Sequence, residues 1–190
     1  SRGRRWSSKR ERLSLSTHAE SVAVRVEDFY SAGWRASDSG WCHYMRGQAP
    51  ELLACVDRVA GHWRTARVGA REQAVAIRQR GIGLQLSGDY LGAITKFRRA
   101  LEIDRSRAPG SIDMAIGLND LADALKVSGE LVEAEMHYQE ALNISTALDD
   151  REVMATLIGN LADLALDREN WPEAERHARE ALKVAEENWT

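Results

Sequence analysis

The sequence is poor in the residues that build disulfide frameworks, metal centres and membrane spans. Its 190 residues include two cysteines and three prolines, and aromatic residues make up 6% of the chain. Cys42 and Cys55 have no metal-binding or redox spacing, so we expect packed free thiols in a reducing compartment. No segment approaches the roughly 18 uninterrupted apolar residues of a membrane-spanning helix. These absences predict a soluble, cytoplasmic protein.

Catalytic and cofactor-binding patterns are also missing from the sequence. The five histidines form no HExxH or other ligand spacing, and no glycine-rich loop could cradle a phosphate. Cys42 and His43 are adjacent, and neighbours on a helix point about 100° apart, which does not suit a nucleophile and its base. We therefore predict no enzyme activity, no cofactor, no metal site and no small-molecule substrate.

What the sequence does contain is a repeat of about 40 residues. Ala93, Ala134 and Ala174 occupy equivalent positions at spacings of 41 and 40 residues (134 − 93 and 174 − 134). Each alanine follows a turn signal, at Gly88-Asp89, Gly129-Glu130 and Asn170-Trp171. A fixed period of this length indicates a solenoid, in which each unit buries its apolar face by stacking on its neighbours.

Each repeat is predicted to be a helix, a turn and a second helix. Glycine can adopt the positive φ that ends a helix, and an acidic residue after it favours the start of the next one. The small residues at positions such as Ala134 let the two helices approach closely, while Phe97 and Tyr138 fill the seam between repeats. The predicted helices are 34–46, 50–66, 70–86, 90–103, 112–127, 131–147, 151–167 and 172–187, preceded by one that begins near residue 19.

The pattern Gly81…Leu84…Gly88-Asp89-Tyr90…Ala93…Phe97…Ala100 resembles a tetratricopeptide repeat. The next two units, from Leu118 to Leu142 and from Ile158 to Leu182, resemble the longer variety of about 40 residues, known from kinesin light chains, Pins-type adaptors and bacterial signal-transduction ATPases. Two features depart from the family pattern: Ala178 replaces the usual aromatic residue, and no proline closes a unit. The resemblance implies an all-α, right-handed superhelical solenoid of antiparallel helix pairs.

The part of the chain before these repeats divides into three predicted segments. Residues 33–67 form a degenerate repeat, whose Trp34, Trp41 and Trp63 either seal the first repeat or form an aromatic shelf for a ligand. Val22 and Val26 predict an amphipathic helix that leads into it. The full division is a basic arm at 1–18, a leading helix at 19–32, the degenerate repeat at 33–67, and repeats at 70–109, 112–150 and 151–188.

Charge is distributed unevenly along the chain. Residues 1–110 hold 20 lysines and arginines against 11 acidic residues, whereas residues 111–190 hold 6 against 18. Such asymmetry favours a basic partner for the C-terminal half, or head-to-tail contacts between copies of the chain. The basic arm between Arg2 and Arg12 could tether nucleic acid or a membrane, but basic runs are more often solvated arms, which disfavours both partners.

The resemblance also implies which residues contact a partner, because the first helix of each tetratricopeptide unit lines the concave groove. Asn119 and Asn160 resemble asparagines that bind the backbone of a peptide, and an amide can both donate and accept a hydrogen bond. Asp123 and Asp163 would repel a C-terminal carboxylate, which disfavours the chaperone-tail type of partner. The predicted groove residues are Arg78, Gln79, Gln85, Asn119, Asp120, Asp123, Lys126, Asn160, Asp163 and Asp167, with Trp34, Trp41 and Tyr44 as a secondary set.

The sequence therefore predicts a protein–protein interaction module that binds a peptide or protein segment, with a preference for a basic or polar partner. The chain begins at Ser1 without an initiator methionine, so we expect a fragment of a longer protein. A Trp-rich degenerate repeat followed by such units resembles the arrays that follow nucleotide-binding switch domains, which implies the sensor or scaffold region of a larger regulatory protein. Two alternatives remain open. One is a self-assembly element that forms homo-oligomers, and the other is a nucleic-acid or membrane tether that uses the basic arm.

Overall fold

The computed structural model describes the backbone of residues 2–187 and the side chains of residues 11–187. All regular secondary structure in this described part is helical, without a β-strand, so the all-α class is confirmed. The right-handed superhelical sense stays a prediction. The helices are α1 (Arg2–Arg25), α2 (Phe29–Tyr44), α3 (Ala49–Thr65), α4 (Ala70–Leu86), α5 (Tyr90–Arg107), α6 (Ile112–Ser128), α7 (Leu131–Ala147), α8 (Arg151–Asp167) and α9 (Trp171–Glu187).

Helices α3 to α9 lie close to their predicted positions, whereas α1 and α2 begin earlier than predicted. Helix α2 begins at Phe29 because the Asp28 carboxylate accepts a hydrogen bond from the Ser31 backbone N–H at 3.0 Å and caps the helix. Helix α1 begins at Arg2, so the backbone of the predicted arm is helical. The side chains of Arg2, Arg4, Arg5, Lys9 and Arg10, on which the tether alternative depends, lie outside the described residues.

The chain divides into two compact units, Ser1–Lys96 and Phe97–Thr190, with the division inside α5. In the first unit, α1 packs on α2, α2 on α3 and α3 on α4. In the second unit, α6 packs on α7, α7 on α8 and α8 on α9. The antiparallel pairs α2–α3, α6–α7 and α8–α9 correspond to predicted helix–turn–helix units.

The core of the first unit is built around Trp63 on α3, which is 2% exposed. Its indole N–H donates to the Tyr30 carbonyl oxygen at 3.2 Å, and its ring meets Trp34 edge-on at 5.0 Å between centroids. A Cβ at Gly33 would lie 2.1 Å from the Trp63 indole nitrogen, so only glycine fits there. Trp34 and Trp63 therefore pack in this core, whereas Trp41 is exposed, and the cap interpretation of the three rings stays a prediction.

Helix α1 packs on this core mainly through buried polar side chains, and not through the valines that the sequence predicts as its apolar face. Val22 and Val26 are exposed, whereas Ser16, Glu20 and Ala23 are buried. The Ser16 and Ser39 hydroxyls are hydrogen-bonded at 2.8 Å, which joins α1 to α2. The prediction that Val22 and Val26 form the packing face of α1 is therefore wrong. A buried carboxylate on the same helix contacts α3 instead.

Glu20 is the buried carboxylate that joins α1 to α3. It accepts a hydrogen bond from Arg58 Nε at 2.9 Å, and its Oε1 lies 3.0 Å from His62 Nε2. Arg58 also donates to the sulfur of Cys55, and burial raises the pKa of that thiol. Both cysteines are free thiols, with Cys55 buried and Cys42 half-buried, as the sequence predicts.

In the second unit, the residues predicted to carry the packing are buried. Phe97, Ala134 and Tyr138 have no exposed surface, and Ala174 has 5%. Gly129 ends α6 with a left-handed φ of 90°, and its N–H bonds back to the carbonyls of the last turn. No helix within the described residues is long and apolar enough to cross a membrane.

Candidate functional site

The second unit brings together polar residues of two equivalent helices, α6 and α8. Asn119 on α6 and Asn160 on α8 occupy matched repeat positions, and Asn160 Nδ2 donates to Asn119 Oδ1 at 2.7 Å. Asp123 lies one turn after Asn119, and Asp163 and Asp167 follow Asn160 on α8. We call these five residues the α6–α8 polar surface. That these residues line a partner-binding groove stays a prediction.

Asp123 is the most constrained member of the α6–α8 polar surface. Its Oδ1 accepts a hydrogen bond of 2.5 Å from the Tyr138 hydroxyl, and its Oδ2 lies 3.5 Å from Asn119 Nδ2. Burial raises the pKa of the Asp123 carboxyl, and the negative charge of Asp163 raises it further. The Tyr138 hydrogen bond and the charge of Lys126 act in the opposite direction but do not offset the burial.

Tyr138 keeps its proton and therefore remains a donor to Asp123. Burial is the main cause that raises the pKa of its phenol, and the neighbouring carboxylates Asp123, Asp163 and Asp167 add to the shift. The repeat pattern predicts a packing role for Tyr138 and does not predict this contact. A signal existed in the repeat alignment, since Tyr138 accompanies Asp123 where the previous repeat has Phe97 and Ile82.

Residues that bind a partner in a groove should be open to solvent, and the five residues of the α6–α8 polar surface meet this condition only in part. Asp163 and Asp167 are exposed, whereas Asn119, Asp123 and Asn160 are half-buried. The difference arises because Asn119 and Asn160 bond each other and Tyr138 covers one side of Asp123. Asp120 and Lys126, the other predicted members on α6, are also half-buried.

The candidates in the first unit form a separate group. Arg78, Gln79 and Gln85 are half-buried on α4, and Gln79 Nε2 donates to the Ser37 hydroxyl on α2. Trp41 and Tyr44 stack at 4.8 Å between ring centroids, and Trp41 is 54% exposed. Trp34 belongs to the core, so the predicted aromatic set divides into one packing residue and one exposed pair.

The described residues contain no group of three or more histidine, cysteine, aspartate or glutamate side chains that could hold a metal ion. His137 and His177 lie at equivalent positions of α7 and α9, each between two glutamates on its own helix. What the α6–α8 polar surface can supply is hydrogen bonding and negative charge.

Comparison with known proteins identifies tetratricopeptide repeats in the C-terminal part of this chain. Residues 113–187, which comprise most of α6 and all of α7 to α9, match the family model of the tetratricopeptide repeat. Together with the helix pairs described above, this match confirms the recognition of tetratricopeptide repeats in the chain. Among curated proteins no sequence matches it.

Solved structures extend the likeness to nearly the whole chain. BtubC (BKLC) from P. vanneervenii has a TM-score of 0.80 at 16% identity, over 94% of this chain and 74% of that one. A putative kinesin light chain from Podospora anserina, with nearly identical TPR-like repeats, has a TM-score of 0.68 at 12% identity, over 98% and 92%. The apo form of RapI has a TM-score of 0.71 at 18% identity, over 92% of this chain.

These likenesses establish the fold, an all-α repeat solenoid of the tetratricopeptide type. The chain spans only 48% of RapI, so about half of that protein has no counterpart in this sequence.

Proposed function

We propose that this chain is a protein–protein interaction module whose α6–α8 polar surface binds a peptide segment that carries a basic side chain. The observation that carries the proposal is the Asp123 carboxylate, which is partly withdrawn from water and lies near the exposed Asp163. A lysine or arginine placed between the two would gain charge-assisted hydrogen bonds and relieve their repulsion. Tetratricopeptide repeats are in general scaffolds for such contacts, which supports an interaction function over a catalytic one.

The asparagines supply the complementary contact to the peptide backbone. Asn119 Oδ1 already accepts a hydrogen bond from Asn160, which fixes the orientation of both amides. Asn160 Oδ1 accepts no hydrogen bond from any described residue and can therefore accept one from a peptide N–H. An extended segment would then be held by its main chain at Asn160 and by its basic side chain near Asp123.

Within a cell, we infer a cytoplasmic sensor or scaffold role, in which this chain is part of a larger signalling protein. The charge distribution supports a basic partner, since residues 111–190 hold 18 acidic residues against 6 lysines and arginines. Ion pairs within the chain use some of these acids, but Asp163 and Asp167 pair with no cation among the described residues. Those two carboxylates remain available to a partner.

The test replaces Asp123 and Asp163 by asparagine in one double variant and compares partner binding with that of the unmodified chain. Proteins captured from the host are identified first, and a synthetic segment of the captured partner is then titrated at low and high salt. We expect the double variant to bind about tenfold more weakly and with a smaller dependence on salt.

The matched control is the double variant Glu152→Gln and Glu186→Gln, which removes the same charge from two exposed sites of the same unit. It should bind as the unmodified chain does. If the Asp123→Asn and Asp163→Asn variant binds the captured segment equally well at both salt concentrations, the acidic surface is not the binding site.

A further inference from the structure

The first unit contains two openings that are separate from the α6–α8 polar surface. One lies at the α3–α4 junction and has a volume of about 410 Å³, and the other lies between α1 and α2 and has a volume of about 650 Å³. We call this second opening the α1–α2 cleft. The residues that define it here are Arg12, Leu15, His18, Arg35, Trp41 and Gln79.

Two large apolar side chains from different helices line the α1–α2 cleft. Leu15 on α1 and Trp41 on α2 both line it, and both remain exposed. The Trp41 ring stacks on that of Tyr44 with 4.8 Å between centroids. Exposed tryptophan in a concave site is a strong anchor for association, because it buries a large apolar area at little cost in conformational entropy.

The charge around the α1–α2 cleft is mainly positive. The cationic side chains of Arg12 and Arg35 line it. The one carboxylate that lines it among the described residues, Asp38, is already paired with Arg35 at 3.3 Å. Arg12 forms no ion pair with any described residue, so its guanidinium is available to an anionic group.

Gln79 of α4 adds a polar group next to these walls. Its Nε2 donates to the Ser37 hydroxyl, and its Oε1 is buried without a hydrogen bond from any described residue. An unsatisfied buried acceptor is costly, and rotation of the amide toward the cleft would let a peptide N–H satisfy it. The cleft therefore combines apolar, cationic and hydrogen-bonding groups in one place.

We propose that the α1–α2 cleft is a second binding site, which takes an acidic peptide segment of a protein partner with one large apolar side chain. The apolar side chain packs between Leu15 and Trp41, and the flanking carboxylates face Arg12 and Arg35. Its charge preference is opposite to that of the α6–α8 polar surface. Each of the two proposals can therefore fail without the other.

The test uses two fluorescein-labelled peptides of about twelve residues, a length that suits a groove of this kind. One has a central phenylalanine flanked by glutamates, and the other has lysines in place of the glutamates. Fluorescence polarisation with the complete chain measures their affinities at about 0.05 M and about 0.5 M salt. We expect the acidic peptide to bind at least about tenfold more tightly than the basic one at low salt, and to lose affinity at high salt.

Variants assign this binding to the cleft. Trp41→Ala should weaken the acidic peptide about tenfold, whereas Trp171→Ala, which removes an equally exposed tryptophan from the second unit, should not. The double variant Arg12→Gln and Arg35→Gln should weaken binding and flatten its salt dependence, and Arg99→Gln on α5 is its charge control. All these side chains are exposed, so thermal unfolding should be unchanged and the variants remain folded.

Several results would overturn the proposal. These are the absence of binding by the acidic peptide, tighter binding of the basic peptide, and equal binding to the Trp41→Ala and Trp171→Ala variants. Light scattering on the same samples detects self-association. If the chain forms dimers that Trp41→Ala disrupts and the acidic peptide does not, the occupant is a second copy of the chain and the peptide assignment is wrong.

Discussion

At the scale of single residues, the most informative group is the carboxyl of Asp123. It combines a half-buried position, a short hydrogen bond from Tyr138 and a like charge nearby on Asp163. Burial is the largest of these influences and makes the anionic form less favourable in the folded chain than in the unfolded one. A carboxylate whose charge destabilises the fold and which a partner can reach is a candidate functional group.

This raised pKa predicts a specific effect of pH on stability. The folded chain binds a proton at Asp123 more readily than the unfolded chain, so its stability is lost as pH rises from the ordinary pKa, 3.8, through the raised one. The Asp123→Asn variant escapes this loss and can still accept the Tyr138 hydrogen bond. We therefore expect the free energy of unfolding of the variant, minus that of the unmodified chain, to increase with pH across this window and then level off.

Paired urea titrations at a series of pH values measure this difference. Asp163→Asn is the control, because the Asp163 side chain is exposed to solvent whereas that of Asp123 is half-buried. A difference that stays constant from acidic to neutral pH would contradict the assignment of a desolvated carboxyl to Asp123.

At the scale of helices, the sequence predicts the helix ends well wherever a glycine lies in the turn. Gly47, Gly88 and Gly129 all have positive φ at the ends of helices, as their positions before the next apolar run indicate. Elsewhere, non-glycine residues take the same conformation, namely Glu27, Arg67, Asp149 and Glu169. The turn at Glu27 gives no such signal, which explains why the α1–α2 boundary was predicted five residues too late.

The site was predictable in its composition but not in its hydrogen bonds. Matched repeat positions were sufficient to place Asn119 beside Asn160, because equivalent residues of stacked helices are neighbours. The hydroxyl of Tyr138 and the carboxylate of Asp123 lie 15 positions apart on different helices, and no periodic pattern indicates that they touch. The polar attachment of α1 was missed for a related reason, since a hydrophobic pattern cannot identify a helix that is held by a buried carboxylate.

That attachment gives a prediction for α1. Glu20→Gln keeps the shape of the side chain but removes its charge, which weakens the contacts with Arg58 and His62. We expect a loss of about 1–3 kcal/mol in the docking of α1. Hydrogen exchange should show faster amide exchange in residues 13–25, with unchanged rates in α6. Equal exchange rates in both proteins would mean that Glu20 does not hold the helix.

The control for this experiment is Glu27→Gln, which changes an exposed glutamate at the end of the same helix. It removes one negative charge without touching Arg58 or His62, so exchange in residues 13–25 should remain as in the unmodified chain.

At the scale of the whole chain, the dominant property is the uneven distribution of charge. The N-terminal 110 residues have an excess of cations and the remainder an excess of acids, although the formal net charge is only −3. Near-zero net charge gives little general repulsion between copies, while opposite charges at the two ends attract. This property also unites the two proposed sites, since each would prefer a partner of charge opposite to its own.

We accordingly expect weak self-association that depends on salt. Static light scattering at about 0.02 M salt should show an apparent mass that increases with protein concentration, and at about 0.5 M salt this increase should disappear because the charges are screened. Replacing several exposed acidic residues of α9 by glutamine should abolish the effect at low salt. An apparent mass that is independent of salt at every concentration would contradict the prediction.

The tryptophans lie in different environments, so tryptophan fluorescence can report the unfolding of one part of the chain. Trp63 is enclosed in the first unit, whereas Trp171 in the second is 63% exposed. Short-wavelength indole emission should therefore come mainly from residues 29–77 and change when that region unfolds. Circular dichroism at 222 nm reports helices of both units, so the two signals followed in one denaturant series distinguish concerted from separate melting. Trp63→Phe would remove the blue emission and verify its origin.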